Sequence, residues 1–227
     1  MKIEEISINS NEYPERLRNI YDPPLNLYVL GNKEILNKKG IAIVGSREAT
    51  SYGKKVAFKF AKELSEQGIN IISGLAIGID AYAHLGNLQA QDTRVSIGKT
   101  IAVLGSGIDN IYPKDNIEIA RKIIKTGGCI ISEYPCGTKP DKLHFPQRNR
   151  IISGLSNGVL VVEASEKSGA LITIDFALDQ GKEVFAIPGE ITNKNSKGCN
   201  ELIRDGARMV LSVQEIIEEI NKGGKYE

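Results

Sequence analysis

The chain has little with which to build a metal centre or a disulfide framework. Its 227 residues include three cysteines, Cys129, Cys136 and Cys199, and two histidines, His84 and His144. The cysteines are odd in number and form no Cys-x-x-Cys pair, so neither a zinc site nor a disulfide scaffold is expected, and the thiols suit a reducing compartment. No apolar run reaches the roughly 18 residues of a membrane span. The opening Met-Lys-Ile-Glu-Glu is acidic and has no signal-peptide core, so the expected location is the cytoplasm. Net charge is also nearly absent, at +1 from 29 basic and 28 acidic residues. That balance excludes a generally polycationic nucleic-acid binder, and any such binding must come from a local patch. The common nucleotide loops are missing too. Gly98-Lys99-Thr100 has Thr93 where a Walker A loop needs its first glycine, and it enters a strand instead of opening a helix. Gly105-Ser-Gly107 lacks the third glycine of a dinucleotide fingerprint and the acidic residue that follows it. No cofactor is expected.

What is present is a regular alternation. Short apolar runs at Ile41-Ala-Ile-Val44, Ile69-Asn-Ile-Ile72, Thr100-Ile-Ala-Val-Leu104, Cys129-Ile-Ile131, Gly158-Val-Leu-Val-Val162 and Glu183-Val-Phe-Ala186 read as strands buried on both faces. Helical spacing lies between them: Val56, Phe60, Ala61 and Leu64 share one face, and Gly68 marks a helix end. Strand-helix alternation predicts an α/β fold, a doubly wound and mostly parallel sheet with helices on both faces. A hydrophobic content of 41% with 25% charged residues is ordinary for a globular protein. Residues 1–38 are expected to form an extension packed on a core spanning 39–222. In that extension Asn11 and Pro14 suit a short helix, Pro23-Pro24 breaks it, and Leu25 to Leu30 forms an extra strand. Val213, Ile216, Ile217 and Ile220 predict a last packed helix, followed by a frayed tail at 223–227.

The most informative stretch is 139–156, where Lys139, Lys142, Arg148 and Arg150 gather around Phe145 and Asn149 at a loop-to-helix junction. Guanidinium forks, an amide and a ring face are the chemistries that hold single-stranded nucleic acid, with cations on phosphates and a ring on a base. A solvated basic loop reads the same way, and Arg148 or Arg150 could instead pair with Glu133, Glu163 or Asp175. The residues alone leave both readings open. Gly45, Ser46 and Arg47 end the first core strand shortly before a helix, which outlines a phosphate cradle or a plain tight turn. Gly74 to Asp80 and Ser168-Gly169-Ala170 also follow strands and begin helices. With Gly45 and Gly105 they suggest four open strand ends where a ligand approaches the backbone, unless close helix packing fills them. His84, with no partner at ligand spacing, is given no catalytic role.

Taken in order, six motifs resemble the DNA-processing protein A family, also called DprA or Smf. They are Gly45-Ser-Arg47, Ser73-Gly-Leu-Ala-Ile-Gly-Ile-Asp80, Gly105-Ser-Gly-Ile-Asp109 with Tyr112-Pro113, Ser132-Glu-Tyr-Pro-Cys-Gly-Thr138, Phe145-Pro-Gln-Arg-Asn-Arg-Ile-Ile-Ser-Gly154 and Ser168-Gly-Ala-Leu-Ile-Thr173. The resemblance runs over about 13–210. It implies an extended Rossmann-like core that binds single-stranded DNA without strong sequence preference, forms a homodimer, and helps load RecA during natural transformation and recombination, without catalysis. Carried onto this chain, it places Arg47, Lys142 and Phe145 in the DNA site and Arg148, Asn149 and Arg150 in a segment that contacts DNA or braces the pocket. Gly45, Ser46, Ser168 and Gly169 complete the candidate set. The resemblance covers the Rossmann-like core only, since many members add a winged-helix-like or helical domain. It also leaves 89–98 as a longer, more polar segment expected to project from the surface. Rossmann-like nucleoside-phosphate hydrolases and nucleotide sensors offer another use of such a pocket. The hydrolases carry a Pro-Gly-Gly-x-Gly-Thr-x-x-Glu loop, and here the corresponding helix start, Ser168-Gly-Ala-Leu-Ile-Thr, lacks the glutamate.

Overall fold

The computed structural model describes residues 2–91 and 97–222. Residues 92–96, half of the expected projection at 89–98, and all of the tail at 223–227 lie outside the described residues. Each apolar run forms a strand: β3 (Gly40–Val44), β4 (Asn70–Ser73), β5 (Thr100–Leu104), β6 (Cys129–Ser132), β7 (Gly158–Val161) and β8 (Glu183–Ala186). Two strands precede them, β1 (Glu4–Ser7) and β2 (Asn26–Gly31), and β9 (Arg208–Met209) follows. All nine join one sheet in the order β1-β2-β6-β5-β4-β3-β7-β8-β9. From β6 to β9 every pairing is parallel, with Ile41 opposite Ile71 on one side of β3 and opposite Gly158 on the other. The β1 and β2 strands run antiparallel, and β2 covers the edge of β6 with Tyr28 opposite Ser132.

The helices are α1 (Glu15–Arg18), α2 (Ser51–Glu66), α3 (Ile79–Ala90), α4 (Ile117–Lys125), α5 (His144–Leu155), α6 (Ala170–Asp179), α7 (Lys197–Arg204) and α8 (Val213–Lys222). In α2 the stripe Ala57, Phe60, Ala61 and Leu64 packs on Ile41, Ile43 and Ile71. Removing an aromatic or leucine side chain of that size from water contributes about 1.5–3 kcal/mol each. Thr50 caps the helix by accepting from Gly53 N at 3.1 Å. At the other end Gly68 turns the chain at φ +79°.

Because side chains alternate along a strand, Ala42, Val44, Ile72 and Val103 face the opposite way and pack under α5 and α6 with Ile151, Ile152, Leu155 and Ile174. The first forty residues share that layer: Leu17 and Ile20 lie against Gly154, where an added Cβ would meet them at 3.0 Å. Tyr13 Oη donates to Pro24 O at 2.8 Å. Arg16 donates to carbonyls of Leu36, Asn37 and Lys38, and to Leu155 O at the end of α5. Neither β1, β9 nor α7 stands out in the sequence. The strand Glu4-Glu-Ile-Ser7 has one apolar residue, and β9 is a two-residue edge defined by pairing with β8. Among the described residues, no helix is long and apolar enough to cross a membrane.

Candidate nucleic-acid interface

The direction of winding changes between β3 and β7, since β4, β5 and β6 lie beyond one side of β3 while β8 and β9 lie beyond β7. Loops leaving the carboxyl ends of these two neighbours run to opposite sides and open a crevice between them. A cavity of about 640 Å³ occupies that position. Nine of the ten candidate residues line it: Gly45, Ser46 and Arg47 from the turn after β3, Lys142 before α5, Phe145, Arg148 and Asn149 within α5, and Ser168 and Gly169 at the start of α6.

The tenth, Arg150, is elsewhere. It is buried at 8% exposure and grips Glu133 with both terminal nitrogens at 2.8 and 2.7 Å. Its Nε donates to Asp22 O at 2.8 Å and lies 3.1 Å from the Asp22 carboxylate. Arg150 therefore ties α5 to the N-terminal extension and to the end of β6, and the structure does not bring it to the cavity.

Arg148 reaches the cavity from behind. At 4% exposure its Nη1 donates to Gly74 O at 2.6 Å and to Val103 O, clamping the carboxyl ends of β4 and β5. Burial pulls its guanidinium down to about 10 while Asp80 beside it pulls the other way, so it stays charged at neutral pH. Burial pushes the Asp80 carboxyl up, and Arg148 and the amides of Ala76 and Gly74 pull it back. Gly74 N donates to Asp80 Oδ2 at 3.1 Å, so the pair closes the loop from Gly74 to Gly78 on itself. That loop presses on the Gly-Ser-Arg turn: Ile79 N donates to Ser46 O at 3.2 Å. A Cβ on Gly78, at φ +80°, would lie 2.2 Å from the same oxygen.

The openings expected at the strand ends are mostly occupied by protein. The space beside Gly74 holds the Arg148 guanidinium, the space beside Gly105 holds the Phe145 ring, and Gly45 abuts Ile79 and Glu163 O. Gly169 alone among the cavity glycines has nothing within 4 Å of a would-be Cβ. The phosphate cradle expected at the Gly45-Ser46-Arg47 turn also changes. Ser46 N donates to Glu163 O at 2.7 Å, and α2 begins five residues later behind Thr50. Thr50 in turn gives its hydroxyl and amide to the buried Glu163 carboxylate at 2.5 and 2.9 Å. The carboxylate thus takes the position at the N-terminus of α2 that an incoming phosphate would occupy. The α6 start remains the helix end that faces the cavity, with Ser168 Oγ accepting from Ala170 N at 3.3 Å.

Exposed Arg47 lies over the Phe145 ring at 5.6 Å, and Tyr112 meets the same ring at a centroid distance of 5.6 Å. The cavity therefore joins a cationic rim, Arg47 and Lys142, to an aromatic wall, a neutral amide at Asn149 and a helix N-terminus. Sequence reasoning gave no role to Asp80, Glu163 or Tyr112, nor to Lys194 and Asn195, which close the far wall. An acidic residue in the first helical turn after a glycine loop was the signal available for Asp80. His84, left without a role, is buried at 0% exposure, with Nδ1 2.7 Å from Thr100 Oγ1. Among the described residues no cluster of His, Cys, Asp and Glu gathers to hold a metal ion.

A family model, DNA recombination-mediator protein A, matches residues 4–221. DNA processing protein DprA of Bacillus subtilis is 45% identical over 219 residues, which cover 96% of this chain and 71% of the relative. The X-ray structure of DprA from Streptococcus pneumoniae superposes with a TM-score of 0.87 at 44% identity, covering 96% of this chain and 75% of that one. A structure of DprA from Helicobacter pylori, described for its single-stranded DNA binding mode, superposes at 0.83 with 29% identity and covers 98% and 97% of the two chains. Sequence and architecture thus agree across almost the whole length, and the chain belongs to the DNA recombination-mediator protein A family.

Proposed function

We propose that this cavity binds single-stranded DNA with little sequence preference, and that the protein acts by binding, without a chemical step. Arg47 and Lys142 neutralise phosphates, Phe145 offers a ring to a base, and the Gly169 amide at the start of α6, with the Asn149 amide beside it, receives a phosphate. Arg148 holds the floor. The observation that carries the reading is the convergence of exposed cations, an aromatic ring and an uncovered helix start on one cavity at the switch point of the sheet. The single-stranded DNA binding mode described for the Helicobacter pylori relative supports it. A nucleoside-phosphate hydrolase is less well served. The carboxylates on the cavity wall are Glu48, which pairs with Lys194, and Asp80, which is held by Arg148 and backbone amides.

Within the same proposal the protein works in the cytoplasm, where its three free thiols persist, as a homodimer that passes the strand to RecA. The family's description as a recombination mediator supports the last step. A salt-titrated oligonucleotide binding assay beside mononucleotides tests the reading, with Arg47→Ala as the control. Tight mononucleotide binding without oligonucleotide affinity overturns it. Light scattering, and RecA capture on coated single strands, test the two assembly steps.

A further inference from the structure

The motif Gly105 to Pro113 has no part in the reading above, yet it delivers one side chain to the cavity. Tyr112 lines the cavity wall with half of its surface exposed, at 50%. A large ring left in water at a cavity mouth is not filling the core, and the loop that leads to it is tied down by hydrogen bonds. Asn110 N donates to Gly107 O at 2.8 Å, and Ser106 Oγ donates to Asn110 O at 2.7 Å. Both Asp109 carboxylate oxygens accept from Gly137 N, at 3.0 and 2.9 Å. Gly107 N donates to Thr138 O at 2.9 Å, so two loops are joined a few residues before the ring.

Phe145 is less free. Arg47 lies over its ring, the Gly105 backbone is packed against its edge, and Tyr112 meets it at 5.6 Å with a tilt of 37°. Two planes so close and so tilted leave no slot for a base between them, because an intercalated base needs about 7 Å between parallel rings. They form one continuous apolar wall with Tyr112 as its open end. A ring that already rests against a neighbour and keeps an exposed face offers a platform on which a base can stack.

We infer that Tyr112 is a base-stacking residue of this site, taking a nucleobase on its outer face next to the position served by Phe145. The inference rests on the single-stranded DNA reading and extends it to two bases per cavity. It also assigns Phe145 a second task, holding Arg47 in place.

The test compares oligo(dT) with an abasic oligomer of equal length and charge. Tyr112→Ala is expected to weaken oligo(dT) binding about five- to 150-fold, the range for losing one stacked base, and to leave abasic binding within about twofold. Tyr112→Phe keeps the ring and should bind like the parent. The chain has no tryptophan, so Tyr112→Trp introduces a single indole whose emission should be quenched by oligo(dT) and not by the abasic strand. Equal losses on both strands, or no loss on either, overturn the assignment. If the parent protein binds neither strand, the DNA reading itself fails, which is a different result from a parent that binds and a Tyr112→Ala variant that matches it.

Discussion

Replacing Arg148 by methionine separates what a buried guanidinium does from what the exposed cations Arg47 and Lys142 do at the same cavity. The side chain is 4% exposed and spans the carbonyl ends of two strands, Gly74 O and Val103 O, with Asp80 as its counter-ion. Methionine fills most of the space but leaves Asp80 ionised in a site that has lost its cation. Leaving those two buried carbonyls without their charged donor costs about 1–3 kcal/mol each, about 2–6 kcal/mol together. At about 2–4 °C per kcal/mol for a chain of this size, the melting temperature should fall by roughly 4–24 °C. Asp80 already has its carboxyl pushed up by burial. A group whose folded pKa is raised contributes stability below that pKa and loses it as pH rises, so the defect should shrink in mild acid, where Asp80 takes a proton. Adding Asp80→Asn should restore part of the loss, giving a coupling term that a urea-denaturation double-mutant cycle reads directly. The salt slope of oligonucleotide binding should not change, since Arg148 meets backbone carbonyls and no phosphate. A loss below about 1 kcal/mol, or a slope flattened by about 0.7, would refute the brace.

Four further outcomes follow from the same geometry. Lys142→Ala should weaken all sequences alike and reduce the log-log salt slope by about 0.7, whereas Arg150→Met should destabilise the fold and leave the slope intact; titrations at several salt concentrations distinguish them. Gly78→Ala puts a methyl 2.2 Å from Ser46 O at φ +80° and should cost at least about 2 kcal/mol. Gly169→Ala meets nothing within 4 Å, so it should fold within about 0.5 kcal/mol of the parent while narrowing the cavity and weakening oligonucleotide binding. Burial pulls the His84 imidazole down to about 3, below its unfolded value. Its contribution is therefore complete above about pH 6.5 and is lost as pH falls, about 2 kcal/mol by pH 5. His84→Gln should flatten the stability profile across that window, as followed by chemical denaturation.

The strands and their parallel order were legible because a strand buried on both faces must be apolar throughout, and Ile41 to Val44 or Thr100 to Leu104 admit few other states. The α2 stripe was legible for the same reason, through its helical spacing. The short edges β1 and β9 were not, since they owe their conformation to pairing with β2 and β8 rather than to their own side chains. Local order likewise placed Lys142, Phe145, Arg148 and Arg150 near one junction, and identified them as a group.

What sequence alone determined was this inventory: the alternation that builds the sheet, the lack of metal and cofactor motifs, and a basic, aromatic cluster in a chain without net charge. Which members face the ligand was decided only in three dimensions. From Phe145 to Arg150 the helix makes about one and a half turns, so Phe145, Arg148 and Asn149, three and four residues apart, share the face that lines the cavity while Arg150 turns away from it, and each meets whatever distant segment packs there. Arg150 finds Glu133 and Asp22, Arg148 finds Asp80 and two strand ends, and Phe145 finds Arg47 and Tyr112. Those partners lie 17 or more residues away along the chain, and their proximity comes from the winding of the sheet, which no local pattern of charge or hydrophobicity encodes.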